Sequence, residues 1–171
     1  LEIIEAHYLF DIPYSKISAV IHPQSVVHSM VEFVDGSTIA QASPPNMKGP
    51  IAYAIAETTR IPKATAPIDW STSHKWEFSP IDSARFPAVD LARRCGELGG
   101  GLPAIFNAAN EVAVEAFLNG LISFAQIVDV VDASVQKLGG NSPITITSLA
   151  DVSAIEKDSR VIATQLVQER K

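Results

Sequence analysis

The sequence predicts an α+β fold: an incomplete α/β layer with an antiparallel β-hairpin, then a linker, then an all-α four-helix bundle. In the first third of the chain, two β-rich runs flank Asp35-Gly36, and this arrangement is typical of a hairpin. From about residue 85 onward, apolar residues instead recur at the spacing of amphipathic helices. We therefore divide the chain into residues 1–56, a linker at 57–84 and a helical domain at 85–171.

The opening segment is predicted to be a helix that ends at Asp11-Ile12-Pro13, because proline restricts the preceding residue to extended conformations. Glu2 and Glu5 lie three residues apart and share one face of this helix. Its apolar face is predicted to comprise Ile3, Ala6 and Phe10. The helix begins without an initiator Met or a capping residue, so we expect the chain to be a fragment that continues upstream.

The predicted hairpin joins Val26–Val34 to Ser37–Ala42. Strand side chains alternate between the two sheet faces, which predicts one face formed by His28, Met30, Glu32 and Val34 and another formed by Ser29, Val31 and Phe33. A loop at Ser43–Met47 leads into a helix predicted from Gly49 to Thr58. In the proline-rich linker, only Trp76–Phe78 indicates a short strand.

Each bundle helix has a recognisable start. Pro87 and Pro103 suit first-turn positions, and Gly99–Gly101 separates the two helices that they open. The other two helices begin with capping boxes, in which a serine is followed three residues later by an acid or an amide. These pairs are Ser123 with Gln126 and Ser148 with Asp151.

The composition disfavours several classes of function. A net charge of −6 does not suit a surface that tracks nucleic-acid phosphates. No apolar run approaches the roughly 20 residues that a membrane-spanning helix needs. The single cysteine, Cys95, has no intrachain disulfide partner and suits a reducing compartment, so we expect a cytoplasmic protein.

Three groups of polar residues are candidates for chemistry. Glu2 and Glu5 offer carboxylates, which bind hard divalent cations, but paired glutamates are also typical of a solvated helix face. His28 on a strand suits a general acid/base or hydrogen-bond donor, but such a histidine is more often bonded to backbone. The third group is more typical of side chains that satisfy a neighbouring loop: Asn107, Asn110 and Glu111. None of these patterns names a reaction.

Several contiguous strings are more specific. They are Leu1–Phe10, His22–Val31, Asp35–Ser37, Ala40-Gln41, Pro45–Met47, Asn107–Glu111 and Ala116–Leu118. In order and spacing they resemble the 1-deoxy-D-xylulose 5-phosphate reductoisomerase family. The resemblance covers essentially the whole chain and is weakest in the linker and the last helix.

The resemblance implies the carboxyl-terminal part of an NADPH-dependent oxidoreductase and isomerase. That enzyme converts the phosphosugar 1-deoxy-D-xylulose 5-phosphate to 2-C-methyl-D-erythritol 4-phosphate on the non-mevalonate route to isoprenoids. A divalent cation, Mg²⁺, Mn²⁺ or Co²⁺, acts there as a Lewis acid on the substrate oxygens. The resemblance also implies a homodimer, with residues 1–56 as part of the catalytic and dimerisation domain.

The resemblance assigns roles to five residues of this chain. Glu2 matches a catalytic, metal-binding glutamate, and Glu5 is expected to orient a neighbour. His28 matches an active-site histidine that positions substrate. Met47 matches the methionine beside the nicotinamide of NADPH, and Pro45 lies in the same loop.

The family's amino-terminal dinucleotide-binding domain, its other metal carboxylates and its phosphate-binding residues have no counterpart in this sequence. A catalytic Mg²⁺ takes about six oxygen ligands, so one carboxylate is not enough and we expect the fragment alone to be inactive. The alternative is a structural or dimerisation module without catalysis. A stand-alone helical binding domain would leave the motifs of residues 1–56 unexplained.

Overall fold

The computed structural model describes residues 1–57, 59–140 and 142–170, and the predicted α+β architecture is confirmed. Five helices lie close to their predicted bounds. The helix that was predicted from Gly49 to Thr58 is present as α2, and Thr58 itself lies outside the described residues. The helices are α1 (Glu2–Phe10), α2 (Lys48–Ile55), α3 (Ala88–Leu98), α4 (Leu102–Leu118), α5 (Phe124–Leu138) and α6 (Leu149–Gln168). The strands are β1 (Val20–Ile21), β2 (Val27–Glu32), β3 (Thr38–Ala42) and β4 (Ser79–Pro80).

The chain forms two compact units, and their limits differ from the predicted domain boundaries. Leu1–Ala19 packs with the helices that follow Asp82, whereas Val20–Ile81 forms the second unit. The physical reason is that α1 packs on α3, with Ile4 buried in the helical core. The boundaries at residues 56 and 84 therefore stay a prediction for the domains of an intact protein.

The helical unit is built around α4, which contacts α3, α5 and α6. Its largest fully buried apolar side chains are Leu102, Ile105, Val130, Val131, Val135 and Cys95. Each buried aliphatic side chain contributes about 1.5–3 kcal/mol, so this is the cooperative core of the chain. Both predicted capping boxes are confirmed. The Ser123 N–H donates to Gln126 Oε1 at 2.7 Å, and the Ser148 N–H donates to Asp151 Oδ2 at 2.9 Å.

The turn between α3 and α4 requires glycine. Gly100 has a φ of +56°, and a Cβ there would lie 2.2 Å from the carbonyl oxygen of Ile144. The next residue, Gly101, donates its N–H to the same carbonyl at 2.9 Å. The predicted glycine separator is thus confirmed, and it also joins the turn to the chain ahead of α6.

The apolar face predicted for α1 is wrong in part. Ile4 is its buried residue, whereas Phe10 is 70% exposed. Periodicity alone does not choose between two overlapping stripes of one apolar helix, and packing on α3 selects the stripe that contains Ile4. Glu2 and Glu5 remain exposed, as their separate face predicts.

The predicted hairpin is confirmed, with β2 and β3 antiparallel and Met30 opposite Ala40. Asp35 stabilises the turn because its Oδ1 accepts hydrogen bonds from the N–H and the hydroxyl of Ser37. The register shifts between Val27 and Ser29, so His28 is the extra residue of a β-bulge. Simple alternation therefore does not fix the face of His28, and the face predicted for it stays a prediction.

A short strand was predicted at Trp76–Phe78, but the strand lies at Ser79–Pro80 and pairs with Val20–Ile21. Side chains, rather than a neighbouring strand, form hydrogen bonds with the backbone groups of Glu77. His22 Nδ1 bonds its carbonyl oxygen at 2.8 Å, and Gln24 Oε1 accepts its N–H at 3.1 Å. These bonds give His22 a structural role. Among the described residues, no helix is both long and apolar enough to cross a membrane.

Candidate functional site

Glu2 lies in the first turn of α1 on the face that points away from the helical core. Its side chain is 93% exposed, and Oε2 lies 3.3 Å from the amino-terminal nitrogen of Leu1. A hydrogen bond from its own backbone N–H holds the pKa of Glu2 below its usual range. The carboxylate is therefore anionic at neutral pH and accessible from solvent.

The chemistry of this carboxylate fits a hard divalent cation, which prefers oxygen ligands. In the parts of the chain that the structure describes, no group of three or more His, Cys, Asp or Glu side chains is placed to hold a metal ion. The metal-binding role assigned to Glu2 therefore stays a prediction. Glu5 is also exposed, and the orienting role assigned to it stays a prediction.

His28 is placed by the β-bulge rather than by strand alternation. Its Nε2 lies 3.0 Å from the carbonyl oxygen of Ser43. In the neutral ring Nε2–H donates this bond, which leaves Nδ1 as an acceptor. The ring is exposed, and the bond fixes its orientation against the start of the loop that follows β3. A bulge that aims a polar side chain in this way is common beside active sites.

The same loop carries Pro45 and Met47, and both side chains are exposed, Met47 by 69%. Asn46 shapes the loop because its Oδ1 accepts the N–H of Lys48 at 2.9 Å, where α2 begins. An exposed thioether beside a rigid proline gives an adaptable apolar surface of the kind that packs against a flat ring.

The structure brings three of the four predicted site residues into one compact unit. His28 is bonded to the loop that bears Pro45 and Met47, and all three belong to Val20–Ile81. Glu2 belongs to the helical unit. The roles assigned to these four residues stay predictions at this point.

The polar cluster of α4 was predicted to satisfy a neighbouring loop, but its bonds among the described residues join side chains of α4 and α6 instead. Asn107 Nδ2 donates to Glu111 Oε1 at 3.2 Å, and Glu111 also pairs with Arg160 of α6 at 2.8 Å. The cluster thus ties two bundle helices together. Cys95 is fully buried, and burial raises the pKa of its thiol to about 11. A protonated, inaccessible thiol is not a nucleophile.

Sequence reasoning missed a second cluster, in which Tyr14 lies between His7 and Gly96. The His7 and Tyr14 rings stack with centroids 4.3 Å apart, and the Tyr14 phenol covers the backbone of Gly96. No sequence spacing links residues on two helices and a turn between them. The isolated glycine in the pattern of α3 was the available clue, because such a glycine often marks a close approach.

Comparison with known proteins gives a consistent result. The family model described as DXP reductoisomerase C-terminal domain matches residues 42–162. The 1-deoxy-D-xylulose 5-phosphate reductoisomerase of Pseudarthrobacter chlorophenolicus is 55% identical over 154 residues, which make up 90% of this chain and 39% of that relative. This chain therefore spans about two fifths of the length of such relatives.

Solved structures of the same kind share the fold. The reductoisomerase from Zymomonas mobilis in complex with NADPH aligns with a TM-score of 0.85 and 41% identity, covering 97% of this chain and 43% of that one. A DOX-P reductoisomerase in complex with NADPH, fosmidomycin and magnesium aligns with a TM-score of 0.84 and 38% identity, covering 98% of this chain and 42% of that one.

Proposed function

This chain belongs to the DXP reductoisomerase C-terminal domain family, and on that premise we propose that it is the carboxyl-terminal part of a complete reductoisomerase. The complete enzyme isomerises and reduces 1-deoxy-D-xylulose 5-phosphate to 2-C-methyl-D-erythritol 4-phosphate, using NADPH and a divalent metal, on the non-mevalonate route to isoprenoids. The observation that carries the proposal is that relatives solved with NADPH and magnesium share the fold over 97–98% of this chain.

In this proposal, Glu2 supplies one anionic oxygen ligand to the cation. The exposure of its side chain supports the assignment, because the carboxylate is accessible to a cation. The cation, when bound, supplies Lewis-acid polarisation of the substrate oxygens. The remaining ligands come from outside the described residues. Glu5, one turn along α1, orients this part of the site.

His28 holds the substrate in place. Its ring orientation is fixed by the 3.0 Å bond to Ser43, so the opposite nitrogen presents a defined hydrogen-bonding group to a hydroxyl or carbonyl of the sugar. Met47 and Pro45 form an apolar wall for the nicotinamide and exclude water from the hydride-transfer region. His28 is hydrogen-bonded to the loop that carries this wall, so substrate and cofactor are positioned together.

The test is turnover by the full-length protein that contains this chain. We expect NADPH oxidation that depends on both 1-deoxy-D-xylulose 5-phosphate and Mg²⁺ or Mn²⁺. The decrease in NADPH absorbance measures this oxidation. His28→Gln should lower kcat/KM by roughly 10²-fold, in the range expected when a positioned hydrogen-bonding group is lost. NADPH consumption that does not depend on the substrate would contradict the proposal. Wild-type turnover of the His28→Gln variant would contradict the role of His28.

The rival function is a structural or dimerisation module without catalysis, and the exposed hairpin is the observation that favours it. In that case the full-length protein would assemble normally and show no metal-dependent turnover. The same experiment therefore separates the two. A cytoplasmic location fits both, since the only cysteine is free and buried.

We also propose that the hairpin forms a homodimer interface. Its apolar side chains are exposed on both faces of a two-stranded sheet: Met30 by 46%, Val31 by 58%, Phe33 by 46% and Ile39 by 65%. Such a sheet is marginal alone and gains stability when another element covers it.

A charge placed in the sheet tests this interface. Val31→Glu should weaken the dimer of the full-length protein by at least about 10-fold, because the carboxylate would lose its hydration on association. Val161→Glu, at a 50% exposed valine of α6, is the matched control and should leave the dimer intact. Sedimentation velocity over a concentration series measures both. A wild-type protein that stays monomeric at micromolar concentration would refute the interface.

A further inference from the structure

We propose that Tyr14, Arg93 and Gly96 form a joint that positions the metal-binding carboxylate of Glu2. The inference rests on the proposed function, and it adds three residues to which no role in binding has been assigned. All the contacts that support it lie within the helical unit, which contains α1, the turn after it and α3.

The first contact is one that only glycine allows. Tyr14 is 6% exposed, and its phenol lies directly on Gly96 of α3. A Cβ built on Gly96 would lie 2.1 Å from the Tyr14 oxygen and 2.4 Å from Cζ. Real Cβ atoms do not approach ring atoms this closely, so any larger residue at 96 must push the tyrosine away from α3.

The second contact joins the tyrosine to α1. The His7 ring stacks on the Tyr14 ring, with an interplanar angle of 23° and centroids 4.3 Å apart. His7 Nδ1 also bonds the carbonyl oxygen of Ile12 at 2.8 Å, across the end of the helix. Tyr14 is therefore held between a side chain of α1 and the backbone of α3.

The third contact fixes the turn itself. The guanidinium of Arg93, three residues before Gly96 on α3, donates to the carbonyl oxygens of Tyr14 and Ile17, the latter at 2.8 Å. Hydrogen bonds from a charged donor are about twice as strong as neutral ones. Because Arg93 binds both ends of the short helical turn Tyr14–Lys16, that turn cannot move along α3 without breaking them.

The joint reaches Glu2 through a rigid helix. His7 lies five residues after Glu2 on α1, which is roughly 7–8 Å along the helix axis at about 1.5 Å per residue. Ile4 and His7 face the core and Glu2 faces outward. A shift of Tyr14 is passed through His7 to the whole helix, including the carboxylate. Mg²⁺ tolerates little displacement because it demands near-ideal octahedral geometry.

The buried hydroxyl of Tyr14 shows which property of this side chain matters. Its oxygen finds no hydrogen-bond partner among residues 1–57, 59–140 and 142–170. The joint therefore depends on the shape of the ring rather than on a hydrogen bond. Tyr14→Phe should keep the joint intact, whereas Gly96→Ala should disrupt it.

The experiment measures Mn²⁺ binding to the full-length protein by electron paramagnetic resonance, without turnover. We expect Gly96→Ala to weaken Mn²⁺ binding by about 10-fold or more, the range found when a group that orients a ligand is removed. The NADPH dissociation constant should change less than about twofold, and Tyr14→Phe should match wild type in both. In assays, the Mg²⁺ concentration for half-maximal rate should rise for Gly96→Ala.

Gly139→Ala is the matched control, because a Cβ there would lie 2.2 Å from Leu102 Cδ2 in the bundle core. It should lower the melting temperature and leave Mn²⁺ affinity unchanged, which separates positioning from general instability. If Gly96→Ala does not fold, Arg93→Gln decides the question, since it removes the bonds to Tyr14 and Ile17 without filling space. Unchanged Mn²⁺ affinity in the folded variant would overturn the joint. Unchanged affinity in Glu2→Gln would instead overturn the metal role of Glu2.

Discussion

In the full-length enzyme that contains this chain, Glu2→Gln should lower turnover by at least about 100-fold at ordinary Mg²⁺ concentrations. Replacing a group that merely orients a ligand costs 10–100-fold in metal affinity, and here a ligand itself is changed. The amide has nearly the shape of the carboxylate but carries no charge, so the variant isolates the electrostatic contribution. Raising Mg²⁺ or Mn²⁺ should restore part of the rate, because the defect lies in metal binding.

The fold should be unaffected by this substitution. The Glu2 side chain is 93% exposed and belongs to no buried cluster, so the melting temperature should stay within experimental error. Glu115→Gln removes another exposed carboxylate from the helical unit and should leave activity unchanged. Glu5→Gln tests the orienting role and should have a smaller effect than Glu2→Gln. Wild-type turnover of Glu2→Gln at limiting metal would show that Glu2 is not a ligand.

The elements that could be predicted from the sequence are those fixed by local chemistry. The Asp35-Gly36 turn, the capping boxes and the glycine separator each depend on a few adjacent residues, and each was predicted correctly. The failures involve distant partners. The bulge at His28 depends on the strand opposite it, and the position of β4 depends on side chains that bind Glu77 from more than 50 residues away. The packed face of α1 depends on α3.

The candidate site, like the fold, could be predicted from the sequence only in part. The residue types at Glu2 and His28 alone favoured a solvated face and a structural histidine, and only the contiguous family motifs favoured function. The structure adds the bulge and the Ser43 bond that fix the His28 ring. It also adds the packing of Tyr14 on Gly96, which no motif or periodicity encodes, because the contact is made by residues that are 82 positions apart.

The isolated 171-residue chain should show neither reductoisomerase activity nor NADPH binding. The reaction requires a chelated metal, an anchored phosphate and a nicotinamide close to the carbon that is reduced. In the proposed function, the chain supplies only one metal ligand through Glu2, one positioning group through His28 and one apolar wall through Met47 and Pro45. A loosely held substrate forfeits most of the roughly 7–11 kcal/mol that good orientation contributes to catalysis.

The measurement uses chain whose mass is verified as 18.3 kDa, mixed with 1-deoxy-D-xylulose 5-phosphate, NADPH and Mg²⁺ or Mn²⁺. NADPH absorbance should stay constant over hours, and Mn²⁺ should bind only weakly because water must replace the absent carboxylates. The circular dichroism of the sample should still show the helical bundle, since the buried residues of α3 to α6 lie within the chain. A folded chain that turned over at a rate near that of the full-length enzyme would mean that the active site is complete here, and that the residues assigned to it are wrong.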